Sequence, residues 1–265
     1  MNSYLTFCSE HEFDPEPTID TLSFFVVYTS AHISPNSVES YLSGLVNELR
    51  GYYPNLPNVR SSFIIKRAMQ GCRRRFAKPC KRKLPLTKDN LLHVAHSLPH
   101  PWSHNDLLFL LLLQIGFFAL LRAGELVWPD KRELQDFRKL SMRLSVTMEP
   151  NAFQFRIQHA KTDTRFEGNL IRIPSNLMDP DPYLLMQRYL AERDRVFPIH
   201  PQLWLLQSGT PPTRSWFMRN LHRFFPDNIG GHSMHAGGAT ALAAAGVPHQ
   251  QIQAIRSVSA LSRER

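Results

Sequence analysis

The chain has few cysteines. Cys8, Cys72 and Cys80 cannot all pair, and the first ten residues lack the basic start and apolar run of a secretory signal. The expectation is a reducing, intracellular setting in which no disulfide framework carries the fold. Long apolar runs are also missing. The longest, Leu107 to Leu121, is interrupted by Gln114 and Gly116 and is too short to cross a bilayer, so it reads as a buried helix and no membrane partner is expected. Acid is absent from Arg60 to Lys88. Eleven basic residues fall there: Arg60, Lys66, Arg67, Arg73, Arg74, Arg75, Lys78, Lys81, Arg82, Lys83 and Lys88. Taking them out of the formal charge of +9 leaves the other residues at −2. A near-neutral protein with one concentrated basic segment has the electrostatic footprint of a polyanion binder. A solvated linker, a nuclear-import run and a patch for anionic membranes are the bland readings of the same residues. Hydrophobic residues make up 43% and charged residues 20%, which excludes wholesale disorder in a chain of 265 residues.

Apolar spacing of three and four predicts helices over Asn2 to His11, Thr18 to His32 and Ser37 to Arg50, the last with Ser34 as cap and Pro35 in its first turn. A fourth helix, about Ser61 to Cys72, runs into the basic segment. These elements predict a small helical domain over 1–77, followed by a basic linker over 78–86 marked by Pro79 and Pro85. A second domain, 87–265, is expected to place helices around a small antiparallel sheet. Thr87 and Ser103 cap its first two helices. Alternation then predicts a strand over Ser141 to Met148, a turn at Pro150 and Asn151, a strand over Phe153 to Ile157, and a third over Asn169 to Ile173. Helices resume at Asp181 to Arg195, Thr213 to Phe225 and Met234 to Ala245. The fold class is mainly α with a small antiparallel β-sheet.

Single residues in the second domain are unremarkable one at a time. Arg122 emerges from the apolar helix with Glu125 one turn later as an ion-pair partner. Lys161 lies in a polar loop between strands, and His232 and His235 lie at a glycine-rich helix start that favours an anion. Cys72, Cys80, His93 and His96 have the ligand types of a zinc finger but the wrong intervals, so no metal is expected.

Taken in order, Leu121-Arg122-Ala123-Gly124-Glu125-Leu126, Lys161-Thr162-Asp163 and His232-Ser233-Met234-His235-Ala236-Gly237-Gly238-Ala239-Thr240 resemble the tyrosine recombinases, or phage-type integrases, in wording closest to fungal mobile-element forms. The resemblance implies a helical core-binding domain joined to a catalytic domain that breaks and rejoins DNA through a phosphotyrosine, with no cofactor. Duplex DNA and other recombinase protomers are the implied partners, and the nucleus the implied location in a eukaryote. By position it assigns Arg122 as first arginine, Glu125 as its orienting acid, Lys161 as hairpin lysine and His232 as second-box histidine. Arg67, Arg73, Arg74, Arg75, Lys78, Lys81, Arg82 and Lys83 are the expected DNA contacts.

The departures matter as much. Where the family pattern calls for a second arginine, this chain has His235, which has no two-pronged fork for a phosphate. No tyrosine follows Tyr189, and the catalytic domain is expected to be incomplete at its C-terminus. The resulting expectation is a DNA-binding pseudoenzyme. The alternatives are a fragment of an active recombinase whose tyrosine lies downstream or comes from another protomer, and an unrelated basic RNA-binding or nuclear protein.

Overall fold

A computed structural model describes residues 2–77, 83–158 and 168–255, and the chain divides into two compact units, Met1–Cys80 and Lys81–Arg265. No helix among the described residues is long and apolar enough to cross a membrane.

The first unit is helical: α1 (Asn2–Glu10), α2 (Ile19–His32), α3 (Pro35–Leu49), α4 (Leu56–Ser61) and α5 (Phe63–Phe76). Local chemistry starts each of the longer ones. The hydroxyls of Thr18, Ser34 and Ser62 accept the amides of Thr21, Ser37 and Ile65. Tyr4, Phe7, Leu22, Phe25, Val38, Leu42, Leu45, Ile65 and Met69 form the shared core. α5 starts later and runs longer than its apolar spacing predicts, carrying Arg73, Arg74 and Arg75 on its last turn.

The second unit is built around α7 (His104–Phe118), in which every residue from Leu107 to Phe117 is buried. A helix buried on all sides shows no amphipathic stripe, so its circumference is apolar except at Gln114, whose amide nitrogen donates to the Pro180 carbonyl. α6 (Lys88–Ser97), started by a reciprocal Thr87–Asn90 capping box, packs beside it, as do α9 (Pro182–Val196) and α11 (Ser233–Ala244). The remaining helices are α8 (Ala123–Leu126), α10 (Arg214–Leu221) and α12 (His249–Ile255). Three antiparallel strands, β1 (Thr147–Glu149), β2 (Ala152–Ile157) and β3 (Asn169–Pro174), lie in that order. Phe153 faces Ile173 and Phe155 faces Ile171, and all four point into the core.

Two expectations need correction. The alternation from Ser141 to Met148 does not give one strand: Arg143–Ser145 is a 3-10 turn, and only Thr147–Glu149 is extended. The Arg143 amide is taken by the Pro201 carbonyl, and the Ser145 hydroxyl accepts from the Arg156 amide. These longer-range bonds outcompete strand pairing and leave Leu144 almost fully exposed. Residues 83–86, read as the end of a linker, belong to the second unit. The Leu84 amide donates to Asn228 and the Leu86 amide to Ser233, and Leu86 is buried.

Candidate active site and nucleic-acid interface

α7 ends in a six-to-one turn. The Leu121 amide donates to the Gly116 carbonyl and the Leu120 amide to Phe117, with Leu120 at a φ of 54°. This closure favours glycine, and a leucine there stores on the order of 1 kcal/mol or more of strain. The Leu120 side chain is nonetheless buried, which explains why the apolar residue is kept. The turn delivers Arg122 directly as the cap residue of α8. The Arg122 amide donates to Glu125 Oε2 at 2.7 Å, and its Nη1 stands 3.8 Å from Glu125 Oε1. One carboxylate therefore fixes both the backbone and the guanidinium of Arg122.

The third component arrives from the far end of the chain. The Ala123 amide donates to the Gly231 carbonyl at 3.1 Å, tying the start of α8 to the segment that leads into α11. Gly231 suits this approach, because a Cβ there would lie 3.1 Å from that of Ala123, a tight contact. His232 follows, exposed, as the residue before α11. The resulting concave pocket is lined by Arg122, Ala123, Gly124, Glu125, Arg214, Gly231 and His232. Two guanidiniums and an imidazole on one opening, with their only carboxylate engaged by Arg122, make a seat for a tetrahedral oxyanion.

Arg122, Glu125 and His232 thus line one pocket. His235 does not. Its Nδ1 lies 2.6 Å from the Leu120 carbonyl, so Nδ1 must carry the proton, and the ring braces the strained turn instead of lining the pocket. Arg214 was missed by sequence reasoning: no motif surrounds it, and only the folded chain brings α10 to α8. Lys161 lies outside the described residues. Neither tyrosine of the second unit lines the pocket. The Tyr183 hydroxyl donates to the Glu149 carbonyl. Tyr189 is buried, with its hydroxyl held by Leu203 and Leu205, and burial pushes its ionisation well above the ordinary phenol range.

On the first unit, α5 buries Ile65, Met69 and Cys72 and exposes Lys66, Arg67, Arg73, Arg74 and Arg75. Arg73 is in contact with Glu39 of α3, and both side chains are about half exposed. Arg67 lies over the Phe63 ring and Arg75 over Phe76. A groove beside this face is lined by Glu39, Leu42, Arg60, Lys66, Met69 and Arg73. Of the remaining expected DNA contacts, Lys78, Lys81 and Arg82 lie outside the described residues. Lys83 is on the second unit, with its ammonium on the Asp227 carbonyl.

No protein-family model and no curated protein matches the chain. Solved structures do. A XerH site-specific recombinase bound to difH substrate aligns with a TM-score of 0.54 at 15% identity, over 92% of this chain and 64% of that one. A palindromic-substrate complex of XerH gives 0.55 at 14%, over 91% and 63%. The Tn1549 transposon integrase in complex with circular intermediate DNA gives 0.54 at 16%, over 91% and 78%. This chain therefore spans somewhat under two thirds of the XerH chains. Identities this low speak for architecture, and by architecture the chain has the tyrosine-recombinase fold.

Proposed function

We propose that this chain is a duplex DNA-binding protein of the tyrosine-recombinase type, which grips the phosphate backbone with α5 and seats one phosphate at Arg122 and His232, and which does not complete strand cleavage with its own residues. The convergence of Arg122, Glu125 and His232 on one pocket carries this reading. The XerH and Tn1549 integrase structures that share its fold are complexes with DNA or substrate, which supports the choice of ligand. Recombination or integration, with further protomers assembled on the DNA and a nuclear site of action in a eukaryotic host, is the corresponding proposed setting.

Inactivity follows from the tyrosines of the second unit, while His235, in the place of the second arginine, is committed to a backbone carbonyl. Tyr183 and Tyr189 supply no nucleophile there, since both hydroxyls are engaged elsewhere.

Fluorescence anisotropy with a labelled duplex, run across a salt series, tests the binding claim, because a protein that neutralises several phosphates must show a steep dependence. Flat salt dependence, or preference for RNA over duplex DNA, would return the basic segment to a nuclear-import or RNA role. In the same assay Arg122→Ala is expected to change affinity by less than about threefold, because it removes one phosphate contact among many. A nicked suicide duplex should give no covalent adduct with this chain on a denaturing gel, and a tyrosine-linked adduct would overturn inactivity.

A further inference from the structure

We infer that Arg214 is the second guanidinium of the phosphate seat, standing in for the arginine that position 235 lacks. The inference rests on the DNA reading above for the identity of its ligand, a phosphodiester, but its geometry is independent of that reading.

Arg214 lines the same opening as Arg122 and His232. It is exposed at the first position of α10, after the Thr213 cap whose hydroxyl accepts from Trp216. Its backbone is fixed by the residues that follow α8. The Arg214 amide donates to the Trp128 carbonyl at 2.8 Å, the Trp128 amide donates to Pro212 at 2.9 Å, and Trp128 and Thr213 form a parallel bridge. The start of α10 is therefore locked to the strand-like segment that begins two residues after Glu125, so the two arginines are carried on one rigid frame. Among the described residues, no carboxylate forms an ion pair with the Arg214 guanidinium. The nearest acid by its effect is Asp130. The Ser215 amide chiefly, then the Ser215 and Thr213 hydroxyls and the Arg214 charge, hold its carboxyl below the usual range. Its Oδ1 is spent on the Ser215 amide at 2.9 Å.

Position 235 offers no such fork. There the side chain is short and turned onto Leu120. At position 214 a planar, permanently charged fork belongs to a residue that lines the oxyanion seat, the chemistry that bidentate phosphate binding requires.

The test uses the full chain and inorganic phosphate as probe, following arginine Nε–H resonances by nitrogen-proton correlation spectra, with Arg122→Lys and Arg214→Lys as assignments. Phosphate is expected to move the Arg122 and Arg214 resonances with one shared Kd. Arg214→Ala should weaken that Kd about five- to tenfold at the Arg122 resonance, and Arg214→Lys, which keeps the charge and loses the fork, about two- to threefold. Arg219→Ala, an exposed arginine of α10 outside the pocket lining, should leave it unchanged. An Arg122 resonance that titrates identically in wild type and Arg214→Ala overturns the inference, as does an equal effect from Arg219→Ala. A second arm replaces phosphate with a short duplex. Duplex that moves neither resonance, while phosphate still moves both in the Arg214-dependent way, overturns the DNA reading and supports the two-arginine seat.

Discussion

Replacing Arg73, Arg74 and Arg75 together by alanine is expected to weaken duplex binding about a hundredfold near 0.1 M salt and to lower the slope of log affinity against log salt by roughly two to three. The cause is counterion release. Each phosphate that a cation neutralises frees condensed counterion, at about 0.9 per contact for duplex DNA, so charge on one helix face reads out directly as salt dependence. α5 supplies that face because its buried residues, Ile65, Met69 and Cys72, occupy the opposite side. The basic residues therefore cannot turn inward without exposing the core. Arg73 starts from a disadvantage, since Glu39 already holds it. An exposed pair of this kind contributes little to stability, so Glu39→Gln should cost the fold almost nothing while tightening DNA binding a few-fold. A triple variant that binds within about threefold of wild type, with an unchanged salt slope, would remove α5 from the DNA interface.

Gly238→Ala is expected to destabilise the second unit by about 3 kcal/mol or more, lowering its melting temperature by roughly 6–12 °C. A Cβ at Gly238 collides with the Phe117 carbonyl oxygen and lies 2.6 Å from Leu120 Cδ2, and one at Gly237 collides with the Leu86 carbonyl. Those obstacles are mostly backbone, so no rotamer change relieves them. α11 must move away from the end of α7, and that movement also strains the Met234 side chain seated over Gly116. Gly44→Ala in α3 is the matched control. Nothing stands near its added methyl group, and helix propensity should make it slightly stabilising. Calorimetry on both variants checks the pair of signs. Gly238→Ala melting with wild type would mean that α11 does not pack as described.

What was legible in the sequence is what is encoded locally. Ser34 with Pro35, Thr87 and Ser103 mark true helix starts because a hydroxyl and an amide three residues on suffice to make the cap. The turn between β1 and β2 was legible for the same reason, since the alternating residues on either side of Pro150 and Asn151 face one core. The alternation ahead of it misled, because the bonds that bend Arg143–Ser145 come from Pro201 and Arg156. At the site, Arg122 and His232 could be named from short motifs. Arg214 could not, because its relation to them exists only through the Trp128 bridge. The role of His235 was hidden too, since its partner is a backbone carbonyl, and carbonyls leave no mark in a sequence.

The double hold of Glu125 on Arg122 has a consequence for how this pocket tolerates change. One oxygen receives the main-chain proton and the other balances the side-chain cation, so a single acid governs where residue 122 begins and where it ends. Glutamine, ordinarily the gentlest replacement for glutamate, keeps only half of this arrangement. If its oxygen takes the main-chain proton, its amino group confronts a guanidinium that likewise has only hydrogens to offer. Glu125→Gln should therefore leave the short helix intact and set the arginine tip adrift, seen as a loss of order at the Arg122 side chain without a fall in melting temperature.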